Sequence, residues 1–275
     1  MQYTFNCWDS FEKWLSRAKH IFLCADFDGT IVPIRPRPEE ANLSCGRRRL
    51  LEKISKLNSL SLGIISGRAL KDIKQKVGLE GLIFAGNHGL EIAYKKGHFI
   101  YPAAKRCIPL IAKIARKLAK EISHFPGAVL EEKTLTLSLH YRLVKGGNLP
   151  RLKAVFLRAA RPYLATGELR LSLGKKVWEL RPSIEWDKGK ALLWLVRKLR
   201  AKQALVIYIG DDLTDEDAFR ALNGIGGLSI LVGRRKASLA RYYLKGTSDT
   251  QKFLTAIYKK IACGNNLNTL KGTSR

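Results

Sequence analysis

The stretch Ile21-Phe-Leu-Cys-Ala-Asp26-Phe-Asp28-Gly-Thr30 indicates both the fold and the place of a site. Its first five residues are apolar and predict a buried β-strand, which two carboxylates follow directly. In extended backbone residues i and i+2 point the same way, so Asp26 and Asp28 are expected to project together from the carboxyl end of this strand. Open α/β sheets bind ligands at that edge. Because neighbouring carboxylates repel each other, the pair predicts a divalent cation, and oxygen ligands favour Mg²⁺.

A second acidic cluster, Gly210-Asp-Asp-Leu-Thr-Asp-Glu-Asp217, follows another apolar run, Leu205 to Ile209. It is unusual in a chain that has only 23 Asp and Glu residues beside 50 Lys and Arg. One interpretation is that Thr214 or Asp215 caps the next helix, whose dipole the following acids would suit. The other interpretation is metal binding, and we assign it to Asp211.

Apolar runs of strand length alternate with amphipathic segments along most of the chain, which predicts an α/β fold with a parallel sheet. The predicted strands are residues 21–25, 62–65, 82–85, 205–209 and 228–232. Helices are expected over residues 47–57, 188–199 and 250–261.

The middle of the chain breaks this alternation. Predicted helices over residues 104–123 and 149–164 alternate with strand-like stretches at Lys133 to Arg142 and Leu169 to Leu180. We therefore expect a Rossmann-like parallel-sheet core, residues 1–102 and 184–275, into which an α+β cap domain, residues 103–183, is inserted. The polar tail from Gly264 is expected to be frayed.

Four short motifs resemble, in the right order, those of the haloacid dehalogenase superfamily of phosphatases: Asp26-x-Asp28-Gly-Thr30, Ser66-Gly67-Arg68, Lys188-Gly189 and Gly210-Asp211-Asp212-x-x-Asp215. Further sequences narrow the resemblance to the trehalose-6-phosphate phosphatases: Gly86-Asn87-His88-Gly89-Leu90-Glu91, Glu131-x-Lys133, His140-Tyr141-Arg142 and Glu179-Leu180-Arg181-Pro182. The resemblance runs from about residue 21 to about residue 254 and implies Mg²⁺-dependent hydrolysis of trehalose 6-phosphate.

These positions suit phosphoryl transfer. Asp26 is expected to be the nucleophile that forms an aspartyl phosphate, since a carboxylate is ionised at neutral pH and needs no base. Asp28 would protonate the leaving sugar oxygen and then take a proton from the attacking water. Ser66 and Lys188 are expected to bind the phosphoryl oxygens.

The expected metal site combines Asp26, the backbone carbonyl of Asp28 and Asp211, with Asp212 as a further candidate ligand. Asp212 and the supporting Asp215 could instead complete the surroundings of the metal or orient Lys188, and the sequence leaves both roles open.

The remaining candidates are expected to bind the substrate. In the core they are Thr30, Arg68, Asn87 and His88. In the insert they are the i, i+2 pairs Glu131/Lys133, His140/Arg142 and Glu179/Arg181, which would offer polar groups to the hydroxyls of a disaccharide. The alternatives are structural: turns at Ser66 and His88, a solvated Lys188, and a solvent-exposed sheet face with cross-strand ion pairs.

The composition argues against several other classes of protein. The 275 residues are 46% hydrophobic and 27% charged, which excludes a mainly disordered chain. The net charge of +27 raises affinity for polyanions, but it is spread along the chain without an aromatic-basic RNA-binding motif, so we expect no specific nucleic-acid partner. The absence of a long apolar run predicts no membrane insertion, and we expect a cytoplasmic monomer.

Two rival functions stay open at this point. One is a phosphatase of another glycosyl phosphate, such as a glycosyl-3-phosphoglycerate or sucrose phosphate. The other is a polyanion-binding protein that has a degenerate phosphatase fold. Five scattered cysteines without CxxC spacing indicate neither a zinc site nor a disulfide framework.

Overall fold

The computed structural model describes residues 1–95, 97–199, 203–233 and 237–271, with side chains up to residue 263. The strands are β1 (Gln2–Tyr3), β2 (Ile21–Ala25), β3 (Leu60–Ile65), β4 (Ile83–Gly86), β5 (Glu91–Tyr94), β6 (Gly97–Ile100), β7 (Val129–Glu132), β8 (Leu137–His140), β9 (Leu169–Gly174), β10 (Val177–Pro182), β11 (Leu205–Gly210), β12 (Leu228–Val232) and β13 (Tyr242–Leu244). The helices are α1 (Trp8–Arg17), α2 (Cys45–Ser55), α3 (Leu70–Val77), α4 (Pro102–Lys105), α5 (Ile108–Ile122), α6 (Leu149–Ala165), α7 (Lys188–Lys198), α8 (Glu216–Asn223) and α9 (Thr247–Lys271).

The larger sheet has the strand order β1-β13-β12-β11-β2-β3-β4-β5-β6. In this order the first seven strands, from β1 through β13, β12, β11, β2 and β3 to β4, are parallel, and β5 pairs antiparallel with β4. In the centre, Ile21 of β2 lies opposite Leu205 on one side and Leu60 on the other. Every residue of β2 and β12 is buried, which explains why these strands appear in the sequence as unbroken apolar runs.

The predicted strands correspond to β2, β3, β4, β11 and β12, so the α/β class and the parallel sheet are confirmed. The prediction missed the outer strands. β1 has two residues and β13 three, which is too short for a periodic pattern to show.

The chain divides into two compact units, Met1–His98 with Asp187–Arg275, and Phe99–Trp186. The sequence placed the insert at residues 103–183. In the smaller unit the strand order is β7-β8-β10-β9, and every pairing is antiparallel. α5 and α6 bury their apolar side chains in one cluster with residues of this sheet, such as Leu137, Leu139 and Leu180.

Both predicted strand-like stretches of the insert are wrong in their extent, and Leu169 to Leu180 forms two antiparallel strands, β9 and β10. The stretch Lys133 to Arg142 forms strand only at Leu137–His140, because a tight turn precedes it. In that turn Thr134 has a positive φ of 66°, and the Lys133 N–H donates to the Thr136 carbonyl at 2.9 Å.

In the described part of the chain, no helix is both long enough and apolar enough to cross a bilayer. The tail predicted to fray from Gly264 lies partly in α9, which extends to Lys271, while residues 272–275 are outside the described residues.

Candidate active site

The carboxyl ends of β2 and β11 and the start of α7 bring together a buried lysine and two buried carboxylates. Asp187 caps α7 by accepting from the Lys190 N–H at 2.8 Å, so the helix begins at Lys188. The Lys188 Nζ lies 3.3 Å from Asp26 Oδ2 and donates to Asp215 Oδ1 at 2.7 Å. Lys188 is only 2% exposed, which rules out the alternative that it is a solvated surface residue.

Asp215 uses both carboxylate oxygens on the protein itself. Oδ1 accepts from Lys188 and from the Tyr208 hydroxyl, each at 2.7 Å. Oδ2 accepts from the backbone N–H groups of Asp211 at 2.9 Å and Asp212 at 2.8 Å. Asp215 therefore fixes both Lys188 and the loop that carries Asp211.

Asp211 is fixed from a second direction. The Thr30 hydroxyl, which the sequence assigned to the substrate, donates to Asp211 Oδ1 at 3.1 Å. Gly29 has a φ of +85°, and a Cβ there would lie 2.1 Å from Asp211 Oδ2, so only glycine fits beside this carboxylate.

Oxygen atoms of Asp26, Asp211 and Asp215 lie within 4.8 Å of one another, and all three residues are buried. Since Asp215 is occupied by hydrogen bonds, Asp26 and Asp211 are the carboxylates best placed to ligate a cation. Asp212 lies outside this cluster and instead caps the turn at Leu213–Asp215, with its Oδ1 accepting from the Leu213 N–H at 2.8 Å. Asp215 is the residue before α8, as one of the two predictions had it, but its side chain makes no capping hydrogen bond to that helix and instead forms a capping box with Asp212 around the turn.

The electrostatics follow from burial. Burial raises the pKa of Asp26 well above its ordinary value, and nearby Asp215 and Asp211 add to the rise while Lys188 opposes it. Burial by itself would lower the pKa of Lys188, but the charges of Asp215 and Asp26 outweigh it, so this pKa lies above its ordinary value. Burial would raise the pKa of Asp215, but the charge and hydrogen bond of Lys188 hold that pKa below its ordinary value.

Asp28 does not share the partners of Asp26, although the sequence predicted that the two carboxylates project together. The Arg68 guanidinium binds Asp28 through two hydrogen bonds, Nε to Oδ2 at 2.6 Å and Nη2 to Oδ1 at 2.8 Å. β2 ends at Ala25 and the chain turns at Phe27, whose carbonyl accepts from the N–H groups of Ile31 and Val32, so Asp28 lies past the regular strand.

Arg68 is itself held in place. It donates to Asp72 Oδ2 and to the Pro38 carbonyl, both at 2.7 Å, and it lies over the Phe27 ring. Burial would lower the pKa of Arg68, but hydrogen bonds and charges of Asp28 and Asp72 raise it above its ordinary value. The sequence assigned Arg68 to the substrate; its side chain binds Asp28 and Asp72 in the structure, and a contact with the substrate stays a prediction.

Hydrogen bonds link Ser66 and Arg68, which follow β3, to the buried turn that follows β4. Ser66 Oγ accepts from the Arg68 N–H at 3.2 Å. Asn87 and His88 are buried and have positive φ values of 50° and 57°, and their N–H groups donate to the carbonyls of Arg68 and Ser66. A Cβ on Gly67 would lie 2.8 Å from the His88 ring. The turn interpretation of His88 thus holds for its backbone.

The smaller unit contains its own polar cluster, centred on Glu179 of β10. Glu179 Oε1 accepts from Lys133 Nζ at 3.1 Å, from the Ser138 hydroxyl at 3.0 Å and from the Thr136 hydroxyl at 3.3 Å. The neighbouring residues on β10, Trp178 and Leu180, belong to the apolar cluster under α5 and α6. The sheet of this unit is therefore apolar on its helix side and polar on the other.

Of the other residues predicted in the insert, some contact this polar cluster and Arg142 does not. His140 Nε2 and Glu131 Oε2 lie 2.9 Å apart, and Lys133 Nζ lies 3.8 Å from the same oxygen. Arg181 is buried on β10. Arg142 lies beyond the end of β8 and donates to the Lys175 carbonyl at 2.7 Å, so His140 and Arg142 are not a strand pair.

Sequence reasoning missed Tyr208, Asp72 and Thr136. Tyr208 lies within the apolar run that forms strand β11, so the sequence pattern marks it as a core residue. A buried tyrosine hydroxyl usually has a hydrogen-bond partner, and this was the signal that could have indicated its bond to Asp215. Asp72 lies four residues after Arg68, the spacing of side chains that meet on one helix face.

Comparisons with known proteins agree with this arrangement. The family model described as trehalose-phosphatase matches residues 24–248. The chain is 36% identical over 250 residues to a probable trehalose-phosphate phosphatase 4 of Oryza sativa subsp. japonica, covering 87% of this chain and 66% of the relative. It is 35% identical over 236 residues to a trehalose-phosphate phosphatase of Mycobacterium marinum, covering 83% of this chain and 59% of the relative. The chain thus spans about three fifths of the length of these curated relatives.

A solved structure shows the same fold. The C-terminal domain of the C. albicans trehalose-6-phosphate phosphatase superposes with a TM-score of 0.77 at 21% identity, covering 91% of this chain and 96% of that one. Since the family model spans most of the sequence and both relatives align with more than four fifths of it, this chain belongs to the trehalose-phosphatase family.

Proposed function

We propose that this chain is a phosphoric monoester hydrolase that converts trehalose 6-phosphate to trehalose and phosphate, with Mg²⁺ as cofactor and an aspartyl phosphate on Asp26 as intermediate. The observation that supports it most is the buried Asp26 carboxylate beside Lys188, at the carboxyl edge of the core sheet of a trehalose-phosphatase family member.

In the first step, a carboxylate oxygen of Asp26 attacks phosphorus and the bond from phosphorus to the sugar oxygen breaks. Asp28 gives a proton to that oxygen. In the second step, water attacks the aspartyl phosphate, Asp28 takes its proton, and the Asp26 carboxylate is restored. The proton that Asp28 takes from this water is the one that it gives to the leaving oxygen in the next turnover, and Arg68 holds the Asp28 carboxylate in place through two hydrogen bonds.

The ammonium of Lys188 supports the same steps. It lies between Asp26 and Asp215 and lowers the cost of bringing a phosphate dianion to a carboxylate. Ser66 is proposed to bind a phosphoryl oxygen. Asp215 is a positioning residue, since its oxygens are used by Lys188, Tyr208 and the loop backbone.

The donor set fits Mg²⁺. Among the described residues, three buried carboxylates meet near one lysine, and all the candidate ligand atoms are hard oxygens. Asp26, Asp211 and the backbone carbonyl of Asp28 would hold the ion. When bound, Mg²⁺ neutralises charge on the phosphoryl group and lets an anionic nucleophile approach it.

We further propose that the polar face of the smaller sheet recognises the disaccharide. Glu131 and Glu179 both lie opposite Ser138, and His140 lies two residues further along β8. Together with Lys133, which donates to Glu179, and the buried Arg181, they supply carboxylate, imidazole, ammonium and guanidinium groups. Hydroxyl groups of a sugar require such a mixture of donors and acceptors.

The test is release of phosphate from trehalose 6-phosphate, sucrose phosphate and a glycosyl-3-phosphoglycerate, each with Mg²⁺ and with EDTA. We expect hydrolysis of trehalose 6-phosphate that depends on Mg²⁺ and that Asp26→Asn abolishes. A preference for sucrose phosphate or the glycosyl-3-phosphoglycerate would contradict the proposed substrate. Turnover by Asp26→Asn within a few-fold of wild type would exclude the covalent mechanism.

A further inference from the structure

The helices of the smaller unit carry most of their charge with one sign. α5 and α6 together contain eight Lys and Arg residues and a single acid, Glu121. On α5 the exposed positions Lys113, Arg116, Lys117 and Lys120 follow the i, i+3, i+4, i+7 spacing of one helix face. They form a continuous basic row.

A second basic row lies on α6, where the exposed Arg151, Arg158 and Arg161 follow the i, i+7, i+10 spacing of one helix face, while the exposed Lys153 lies on another side of the helix. The two helices pack against each other through apolar residues of one cluster, and Arg158 also binds Glu121 across the pair. Among these eight basic residues, Arg158 alone pairs with a carboxylate in the described part of the chain. The α5 and α6 rows together are called the basic face.

The basic face is not the face proposed to bind the sugar. The apolar cluster lies between these helices and the sheet, while Glu179 and Ser138 project from the other side of that sheet. A partner on the basic face would therefore leave the polar cluster of Glu179 uncovered.

The chemistry of the basic face favours rows of phosphates over a lipid surface. The large exposed apolar side chains of the described residues, Met1, Ile34, Leu143, Leu173, Leu213, Ile225 and Leu239, all lie outside α5 and α6. A helix that enters a membrane interface carries such side chains, so the face has nothing to insert.

We propose that the basic face binds duplex nucleic acid through its phosphate backbone, without reading base sequence. The α5 row would follow one phosphate strand and the α6 row the strand across a groove. The proposal departs from the expectation that the chain has no specific nucleic-acid partner.

The experiment measures binding of a fluorescent 20-base-pair DNA duplex, and of an RNA duplex of the same sequence, by anisotropy over a range of salt concentrations. The test variant replaces Lys113, Arg116, Lys117 and Lys120 by Gln. The control variant replaces four exposed basic residues of α1 and α3 by Gln, namely Lys13, Arg17, Lys71 and Lys74. Both variants lose the same charge, and thermal unfolding checks that both are folded.

For DNA, we expect the test variant to lower the slope of log affinity against log salt by about 3.6, which is about 0.9 for each of four lost phosphate contacts, and the control variant to change it little. The RNA arm shows which duplex the face prefers. Equal losses in the two variants would mean that binding reflects net charge only and would overturn the proposal. Vesicles with 30% phosphatidylserine are the last arm, and binding to them without binding to either duplex would also overturn it.

Discussion

At the scale of single residues, Tyr208 of strand β11 helps to position the active-site side chains. Its buried hydroxyl is one of four donors to Asp215, which in turn holds Lys188 beside Asp26. Without that hydroxyl, Asp215 can shift toward or away from Lys188, and the ammonium no longer has a fixed distance to Asp26.

We therefore predict that Tyr208→Phe lowers kcat about 3- to 10-fold, the worth of one hydrogen bond, while KM stays within about twofold. The phenyl ring keeps its edge contact with Phe219, so the thermal midpoint should change little. Steady-state kinetics on trehalose 6-phosphate check this. A rise in KM with kcat unchanged would mean that Tyr208 acts on substrate binding and not on Lys188.

Arg68 offers a second residue-scale prediction, because it holds Asp28 with a two-point contact that lysine cannot reproduce. Arg68→Lys should reduce kcat on trehalose 6-phosphate by about 10- to 100-fold, within the range that general acid and base catalysis supplies. Asp72→Asn, which leaves Arg68 present but weakens its support, should reduce kcat less.

The control substrate is p-nitrophenyl phosphate, whose leaving group departs without a proton. If Arg68 acts by orienting Asp28 as an acid, the loss on this substrate should be clearly smaller. Equal losses on both substrates would assign Arg68 to the phosphate or to the fold.

At the scale of elements, Asp249 joins the start of α9 to the edge strand β1. Its Oδ2 accepts from the Tyr3 hydroxyl at 2.9 Å and from the Lys245 N–H at 3.1 Å. Burial would raise the pKa of Asp249, but these hydrogen bonds hold it below its ordinary value. The charged form is therefore bound more tightly in the folded protein than in the unfolded chain.

Asp249→Asn should lower the free energy of unfolding at pH 7 by about 1–2 kcal/mol. The contribution of the carboxylate is fully present above its unfolded pKa of about 3.9 and is lost as the pH falls through the lower folded value, so the difference between wild type and variant should shrink as the pH falls below about 3.9. Urea unfolding at pH 7, 4 and 2.5 measures this. Asp9→Asn, on the exposed face of α1, is the matched control, and a constant gap across the series would contradict the linkage.

Elements also show what the sequence could predict. Apolar runs such as Ile21–Ala25 and Leu228–Val232 were placed to the residue, because both faces of these strands are buried. Short motifs located Asp26, Lys188 and Asp211, which the structure brings together.

The sequence did not predict which residues of different motifs contact each other. Neither the pairing of Arg68 with Asp28 nor that of Thr30 with Asp211 follows any local period, since each joins residues that only the completed sheet brings near. Single-sequence patterns report burial and local geometry, whereas partners depend on tertiary packing.

At the scale of the whole molecule, the division of labour between the two units can be tested. The core residues Asp26, Ser66 and Lys188 are proposed to act on phosphate, which every substrate shares, and the insert to act on the sugar. Glu131→Ala should therefore reduce kcat/KM for trehalose 6-phosphate by about 5- to 150-fold, the cost of one lost hydrogen-bond partner, and spare p-nitrophenyl phosphate.

Glu132→Ala is the matched control, because Glu132 is exposed on the next position of the same strand and points to the other side of the sheet. It should leave both substrates unaffected. If Glu131→Ala lost activity equally on both, the residue would serve the stability of the insert and not the choice of sugar.

The position of β2 between β3 and β11 has a consequence for how a ribosome makes this protein. β2 is synthesised early, but β11, the strand that covers one of its edges, emerges only after the whole of Phe99–Trp186. The nascent chain therefore carries a contiguous insert with its own apolar cluster, together with a core that has an open, wholly apolar edge strand. Chains arrested before Gly210 are expected to need chaperones and to aggregate, whereas those arrested after Leu244 can close the sheet.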